Sequence, residues 1–201
     1  MIDFLTLANA SKAQLVADRR WLHQHPEIRD DLPMTAQYVM DRLRSMGLEP
    51  REISKCGITA DIRGGKKGRS VLLRADMDAL PVKEDSGLPF ASTTGYGHCC
   101  GHDLHTAMLL TAASMLSAHK DDLHGCVRLM FQPGEEFGIG SQPMIDAGIL
   151  EGMEAAVDMH VNARNPVGTV AICPGYTCAS SDSMKMTITG KGCHGPGPIL
   201  V

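Results

Sequence analysis

The segment His98-Cys99-Cys100-Gly101-His102-Asp103-Leu104-His105 gathers three of the nine histidines and two of the seven cysteines into eight positions. Thiolate and imidazole are the ligands that divalent transition ions favour, and a glycine between Cys100 and His102 frees the backbone to turn both side chains toward one ion. A structural zinc knuckle or a redox pair fits less well, because Cys99 and Cys100 are adjacent and no second cysteine pair follows. A second segment, Phe131-Gln132-Pro133-Gly134-Glu135-Glu136, is an apolar run that ends at Pro-Gly and presents two neighbouring carboxylates. In an extended chain adjacent side chains point opposite ways, so one glutamate is expected to hold a cation and the other to move protons. That division of labour is what metal-assisted hydrolysis requires. Val157-Asp158-Met159-His160 is an apolar run closing on a histidine, and strand ends are where open α/β sheets place ligands. Leu72–Pro81 carries Asp76 and Asp78 at the end of a buried-looking strand, where a carboxylate is costly unless paired, hydrogen-bonded or near a cation.

The elements that must hold these residues alternate between helix and strand. Leu15, Val16, Arg19, Leu22 and His23 recur at helical spacing until His25-Pro26 stops the pattern. A second helix is predicted from Thr35, read as its N-cap, to Gly47, with Ala36, Val39, Met40, Leu43 and Met46 on one face. Ile58–Ile62 and Ser70–Ala75 flank Gly64-Gly65-Lys66-Lys67-Gly68 and read as a strand pair joined by a turn. Asp103 is placed to cap a third helix from Leu104 to about Ala118. Val127–Phe131, Ala155–His160, Thr169–Ile172 and Met184–Thr189 are further strand candidates. The pattern is α/β, a mixed sheet with helices on both faces.

Composition narrows the function classes. With 19 Lys and Arg against 23 Asp and Glu, the net charge is −4, and no stretch gathers the positive charge that follows a phosphate backbone, so no nucleic-acid partner is expected. The longest nearly apolar run, Ala107–Leu116, is about half of what a bilayer needs, so no membrane span is expected. The N-terminus carries Asp3 and no early basic residues, unlike a secretory leader, and seven scattered cysteines do not suit a disulfide framework. A cytoplasmic protein is expected.

Taken in order, these segments resemble a metal-dependent amidohydrolase and metallopeptidase family that includes hippurate hydrolase, N-acyl-amino-acid amidohydrolases (aminoacylases) and plant auxin-conjugate hydrolases. Arg19-Arg20-Trp21-Leu22-His23-Gln24-His25-Pro26-Glu27 is similar to the family's opening helix, Ala75–Pro81 to its first acidic motif, and His98–His105 to its Cys-Gly-His-Asp metal loop. Phe131–Glu136 and the run ending in His160 follow in the family's order. The resemblance implies a di-metal catalytic domain holding two divalent ions (Mn, Zn, Co or Ni), with Cys100 as bridging thiolate and His102, Glu136 and His160 as ligands. It implies that Glu135 is the general base for a water that attacks a small-molecule N-acyl or N-aroyl amino acid, and that Asp78 orients a ligand. Gly192-Cys193-His194-Gly195 resembles a turn in the family's lid domain, so His194 is expected to reach a neighbouring subunit's site and polarise the substrate carbonyl.

Two departures from the family pattern stand out. Cys99 takes the place of a small residue, and Cys193 that of a glycine. The family's lid continues past position 201 and the chain then returns with a last histidine ligand, so the sequence reads as C-terminally truncated. It divides into the N-terminal portion of the catalytic domain (1–181) and the start of a lid or dimerisation domain (182–201) through which full-length relatives are expected to form homo-oligomers. The alternatives are an inactive remnant that at most binds metal, and a related dipeptidase or carboxypeptidase. Those peptidases more often have Asp where Cys100 stands.

Overall fold

In the computed structural model, helices α2 (Lys12–Gln24) and α3 (Pro33–Ser45) form where the apolar spacing predicts them. A further helix, α1 (Phe4–Ala10), precedes them, capped by the Asp3 carboxylate, which accepts from the Thr6 N–H at 3.1 Å. Residues 2–176, 179–180, 182 and 184–190 are described. Thr35 is not the cap of α3. Pro33 opens the helix, where its missing N–H costs nothing, and the Glu27 carboxylate accepts from the N–H groups of Met34 and Thr35 at 3.2 and 2.8 Å. Gly47 leaves the helix at φ +76°, the left-handed turn that glycine tolerates best.

Five strands, β1 (Arg51–Ser54), β2 (Gly57–Arg63), β3 (Lys66–Asp76), β4 (His124–Gln132) and β5 (Ala155–Val157), form one mixed sheet in the order β1-β2-β4-β3-β5. The expected pairing of β2 with β3 does not occur, because β4 lies between them, antiparallel to β2 and parallel to β3. The glycine-rich connection crosses the start of β4 instead of folding back on itself. Gly64 N–H donates to the Gly125 carbonyl at 2.8 Å, and a Cβ on Gly125 (φ +78°) would run into the Arg69 carbonyl. Backbone crossing at that distance needs glycine, and the same residues read as a hairpin when only their turn chemistry is considered.

Alternation then separates the two faces. Ile58, Ala60 and Ile62 of β2, Ala75 of β3, and Leu129 and Phe131 of β4 pack with Leu32, Ala36, Val39 and Leu43 and with Leu109, Leu110 and Ala113 of α4 (His102–Ala118). Leu72 and Met130 point the other way, against Met144 of α5 (Ser141–Asp146) and Ile149. Burying each such side chain stabilises the fold by about 1.5–3 kcal/mol. Helices therefore cover both faces.

One compact unit extends to Asn162 and a second begins at Ala163. Among its described residues the second unit has no helix or strand, so the strands expected at Thr169–Ile172 and Met184–Thr189 are not formed. An alternating sequence makes a strand only where a neighbouring edge supplies hydrogen-bond partners. Similarly, the run expected to extend to His160 pairs only over Ala155–Val157. Among the described residues no helix is long and apolar enough to cross a membrane.

Candidate metal centre

Strands β4, β3 and β5 are parallel neighbours, with Asp76 opposite Gln132 and Leu73 opposite Val157. Their carboxyl ends therefore emerge side by side, and the chain beyond each end carries Glu135-Glu136, Asp78 and His160. Crevices at the carboxyl ends of parallel strands are where α/β sheets bind ligands. The fourth contributor is the start of α4. Its N-cap is Gly101 at φ +85°, not Asp103, whose carboxylate is held instead by Arg19 Nε at 2.8 Å and His23 Nδ1 at 2.7 Å. The Thr106 hydroxyl donates to the Asp76 carbonyl at 2.9 Å and ties the helix start to the end of β3.

His102 is the centre of the cluster. It is fully buried, and among the described residues neither ring nitrogen has a hydrogen-bond partner. Cys100, His102 and His160 offer ligand atoms that all lie within 4.8 Å of one another, and so do His102, Glu135 and Glu136. Cys100 Sγ is 3.3 Å from His160 Nε2, while His102 Nε2 is 3.8 Å from Glu136 Oε1 and 3.9 Å from Glu135 Oε2. Cys100, His102, Glu136, His160 and Glu135 are thus brought together around one imidazole. A carbonyl can only accept, so His160 Nδ1 donates to the Val161 oxygen at 2.7 Å and Nε2 turns its lone pair to Cys100. An orphaned buried imidazole, an orphaned Glu136 Oε1 and a sulfur beside a ring nitrogen form a donor set that fits borderline divalent cations.

The two glutamates are not on opposite sides of an extended strand. Pro133 and Gly134 (φ +62°) end β4, and Glu135-Glu136 lie in a turn that aims both carboxylates at His102. Exposure distinguishes them, with side chains 41% exposed for Glu135 and 19% for Glu136. Asp78, itself buried, shapes the turn by accepting from the N–H groups of Glu135 (2.9 Å) and Glu136 (3.2 Å), with its Oδ1 3.5 Å from His102 Nδ1.

Burial, and then the adjacent Glu136 carboxylate, push the Cys100 thiol up to about 12. Burial also raises Glu135, an effect His102 opposes and the like charges of Asp76 and Glu136 reinforce. A concentration of negative charge and sulfur therefore calls for positive charge.

Residue type and spacing alone leave Asp76 and His105 without a role. They form a third group with His102, yet their atoms are already engaged. Asp76 Oδ1 is 2.6 Å from His105 Nδ1, Oδ2 is 2.9 Å from Arg74 Nη1, and His105 Nε2 accepts from the Val161 N–H at 3.0 Å. The spacing of His105 three residues after His102, on one face of a helix, was the available signal.

His98 is buried, with both ring nitrogens unpartnered among the described residues, and burial lowers it to about 4 against the pull of Asp103. A folded value below the unfolded 6.5 means that the folded state binds fewer protons in that window. Stability present above pH 6.5 is lost as the pH falls toward about 4. His23 carries the opposite sign, since its hydrogen bond to Asp103 outweighs burial and raises it. The fall in melting temperature between pH 6.5 and 4 should accordingly be shallower in His98→Leu than in the parent, measured by calorimetry across that window. Parallel profiles would show that His98 is not the group being protonated. His194, with Cys193 beside it, lies outside the described residues.

The chain matches Peptidase family M20/M25/M40 over residues 72–196, more than half its length. It is 41% identical over 206 residues to the N-acetyl-L-cysteine deacetylase of Bacillus subtilis (strain 168), covering 98% of this chain and 50% of that one. It is 40% identical to the N-acyl-L-amino acid amidohydrolase of Geobacillus stearothermophilus, covering 96% and 53%. A Bacillus subtilis protein described as a dinuclear metal binding peptidase from the M20 family superimposes with a TM-score of 0.77 at 38% identity, over 80% of this chain and 45% of that one. The chain spans about half the length of the curated relatives it matches.

Proposed function

Because the chain belongs to peptidase family M20/M25/M40, we propose that its cluster holds two divalent cations, Mn, Zn, Co or Ni, and hydrolyses the amide of small N-acyl or N-aroyl amino acids. The observation that carries this is the convergence of Cys100, Glu135, Glu136 and His160 on a buried His102 with two unpartnered nitrogens. Cys100, His102, Glu136 and His160 are the residues that would hold the cations. The cations, when bound, supply Lewis acidity that favours ionisation of water and polarises the amide carbonyl. Glu135, the more exposed carboxylate, takes the proton of the attacking water and hands it to the leaving nitrogen. Asp78 keeps both glutamates in register through their backbone N–H groups. The names of the deacetylase and the amidohydrolase support an acylated amino acid as substrate. A lid domain and a histidine contributed in trans by His194 belong to the same proposal.

Cation binding should displace the Cys100 proton, since the thiol is otherwise held near 12. Titration in weakly buffered solution is expected to show up to two ions bound, proton release, and affinity that rises with pH. Hydrolysis of hippurate and N-acetyl amino acids is then followed on the loaded protein. Absence of binding defeats the assignment. Binding without turnover would instead select metal binding without hydrolysis.

A further inference from the structure

His160 lies on exposed chain beyond β5, an element of only three residues, so something other than the sheet must hold its ring beside Cys100. The neighbours of His160 on both sides are gripped. On one side, the Asp158 carboxylate accepts from Arg74 Nη1 at 2.6 Å, and Arg74 Nε donates to Gln132 Oε1 at 3.0 Å. On the other side, the Val161 N–H donates to His105 Nε2 at 3.0 Å. Both grips end on one carboxylate, because Asp76 Oδ2 meets Arg74 and Asp76 Oδ1 meets His105.

We propose that Asp76 is the positioning residue of His160, holding through its two oxygens the Arg74–Asp158 and His105–Val161 arms that fix the chain on either side of that ring and set its tautomer. This rests on His160 being a cation ligand. A backbone N–H can only donate, so His105 Nε2 must accept and its Nδ1 proton must face Asp76. Val161 then carries the orientation onward, since its own carbonyl, in the next peptide group, receives the Nδ1 proton of His160 and leaves Nε2 toward Cys100. Asp76 is almost fully buried, so both oxygens are committed within the protein. Outer residues that orient a ligating imidazole typically contribute about 10–100-fold in metal affinity.

The test is Asp76→Asn. Whichever way the amide sits, one arm fails. With its oxygen toward His105, its NH2 faces the Arg74 guanidinium. With the groups reversed, the NH2 forces the other His105 tautomer, whose Nε2 proton meets the Val161 N–H. In metal-free protein of parent-like circular dichroism, amide exchange at Val161 is expected to quicken by about tenfold or more, and nitrogen NMR of the His160 ring to show a mixture of tautomers. Cobalt affinity is expected to fall about 10–100-fold while the thiolate-to-cobalt charge-transfer band of Cys100 persists. Parent-like exchange, tautomer and affinity would overturn the proposal. Should that variant not fold, Asp158→Ala, at a half-exposed side chain, cuts one arm without touching Asp76 and must quicken exchange at Val161 or shift the His160 tautomer, and parent-like values of both overturn it equally. If the parent protein binds no cobalt, the ligand role of His160 fails, while exchange and tautomer still decide what Asp76 does.

Discussion

Replacing Glu135 by Gln is expected to reduce amide hydrolysis by about 10²–10⁴-fold, the usual contribution of a positioned general base, and to leave the bound cations in place. Gln preserves the shape of the side chain and the backbone N–H that Asp78 accepts, so the turn should survive. What it cannot do is receive a proton. The measurement pairs turnover of hippurate with metal content by elemental analysis, on whichever length of parent chain hydrolyses the substrate. Normal turnover in the variant would remove Glu135 from the reaction, whereas loss of metal along with activity would make it a ligand and shift the base role elsewhere.

His102→Ala should have the largest effect on cation content. Among the described residues each cluster of candidate ligand atoms includes His102, and it is the imidazole shared by Cys100 with His160 on one side and Glu135 with Glu136 on the other. Its loss is expected to weaken the binding of both ions together, by more than the roughly 10–100-fold attributed to an outer residue. The ring is fully buried and lies 3.5 Å from Asp78 and 3.8 and 3.9 Å from Glu136 and Glu135, so its loss also opens a cavity among like charges, and cation content is compared on variant protein of parent-like circular dichroism. Parent-like cation stoichiometry after desalting, with a parent-like melting temperature, would mean that the cations sit elsewhere.

Several features of this site were legible because they are local. Gly101 between a cysteine and a histidine frees the backbone to turn, and the turn is there at φ +85°. Pro133-Gly134 ends a strand wherever it occurs, so the position of the glutamate pair just beyond β4 followed from chain chemistry alone. The cap of α3 was misassigned for the converse reason. Thr35 is a good cap by type, but a carboxylate from outside the helix, Glu27, satisfies the same donors, and that neighbour is set by packing. Asp103 likewise resembles a cap until Arg19 and His23, some eighty residues away, both claim its Oδ2.

Sequence by itself determined the kinds of candidate ligand, their order along the chain and the family to which the chain belongs, since these depend on residue type and on spacing within short segments. Tertiary structure decided which strands are neighbours. Placing β4 between β2 and β3 is what brings the ends of three parallel strands to one edge, and strand order depends on contacts between residues far apart, which no local pattern encodes. The same holds for Asp76. As a residue type it could be a ligand, a cap or a partner, and only the arrival of Arg74, His105 and the Val161 peptide around it shows that both of its oxygens are already engaged. A buried carboxylate takes its role from the groups that compensate its desolvation, and those are assembled by the fold.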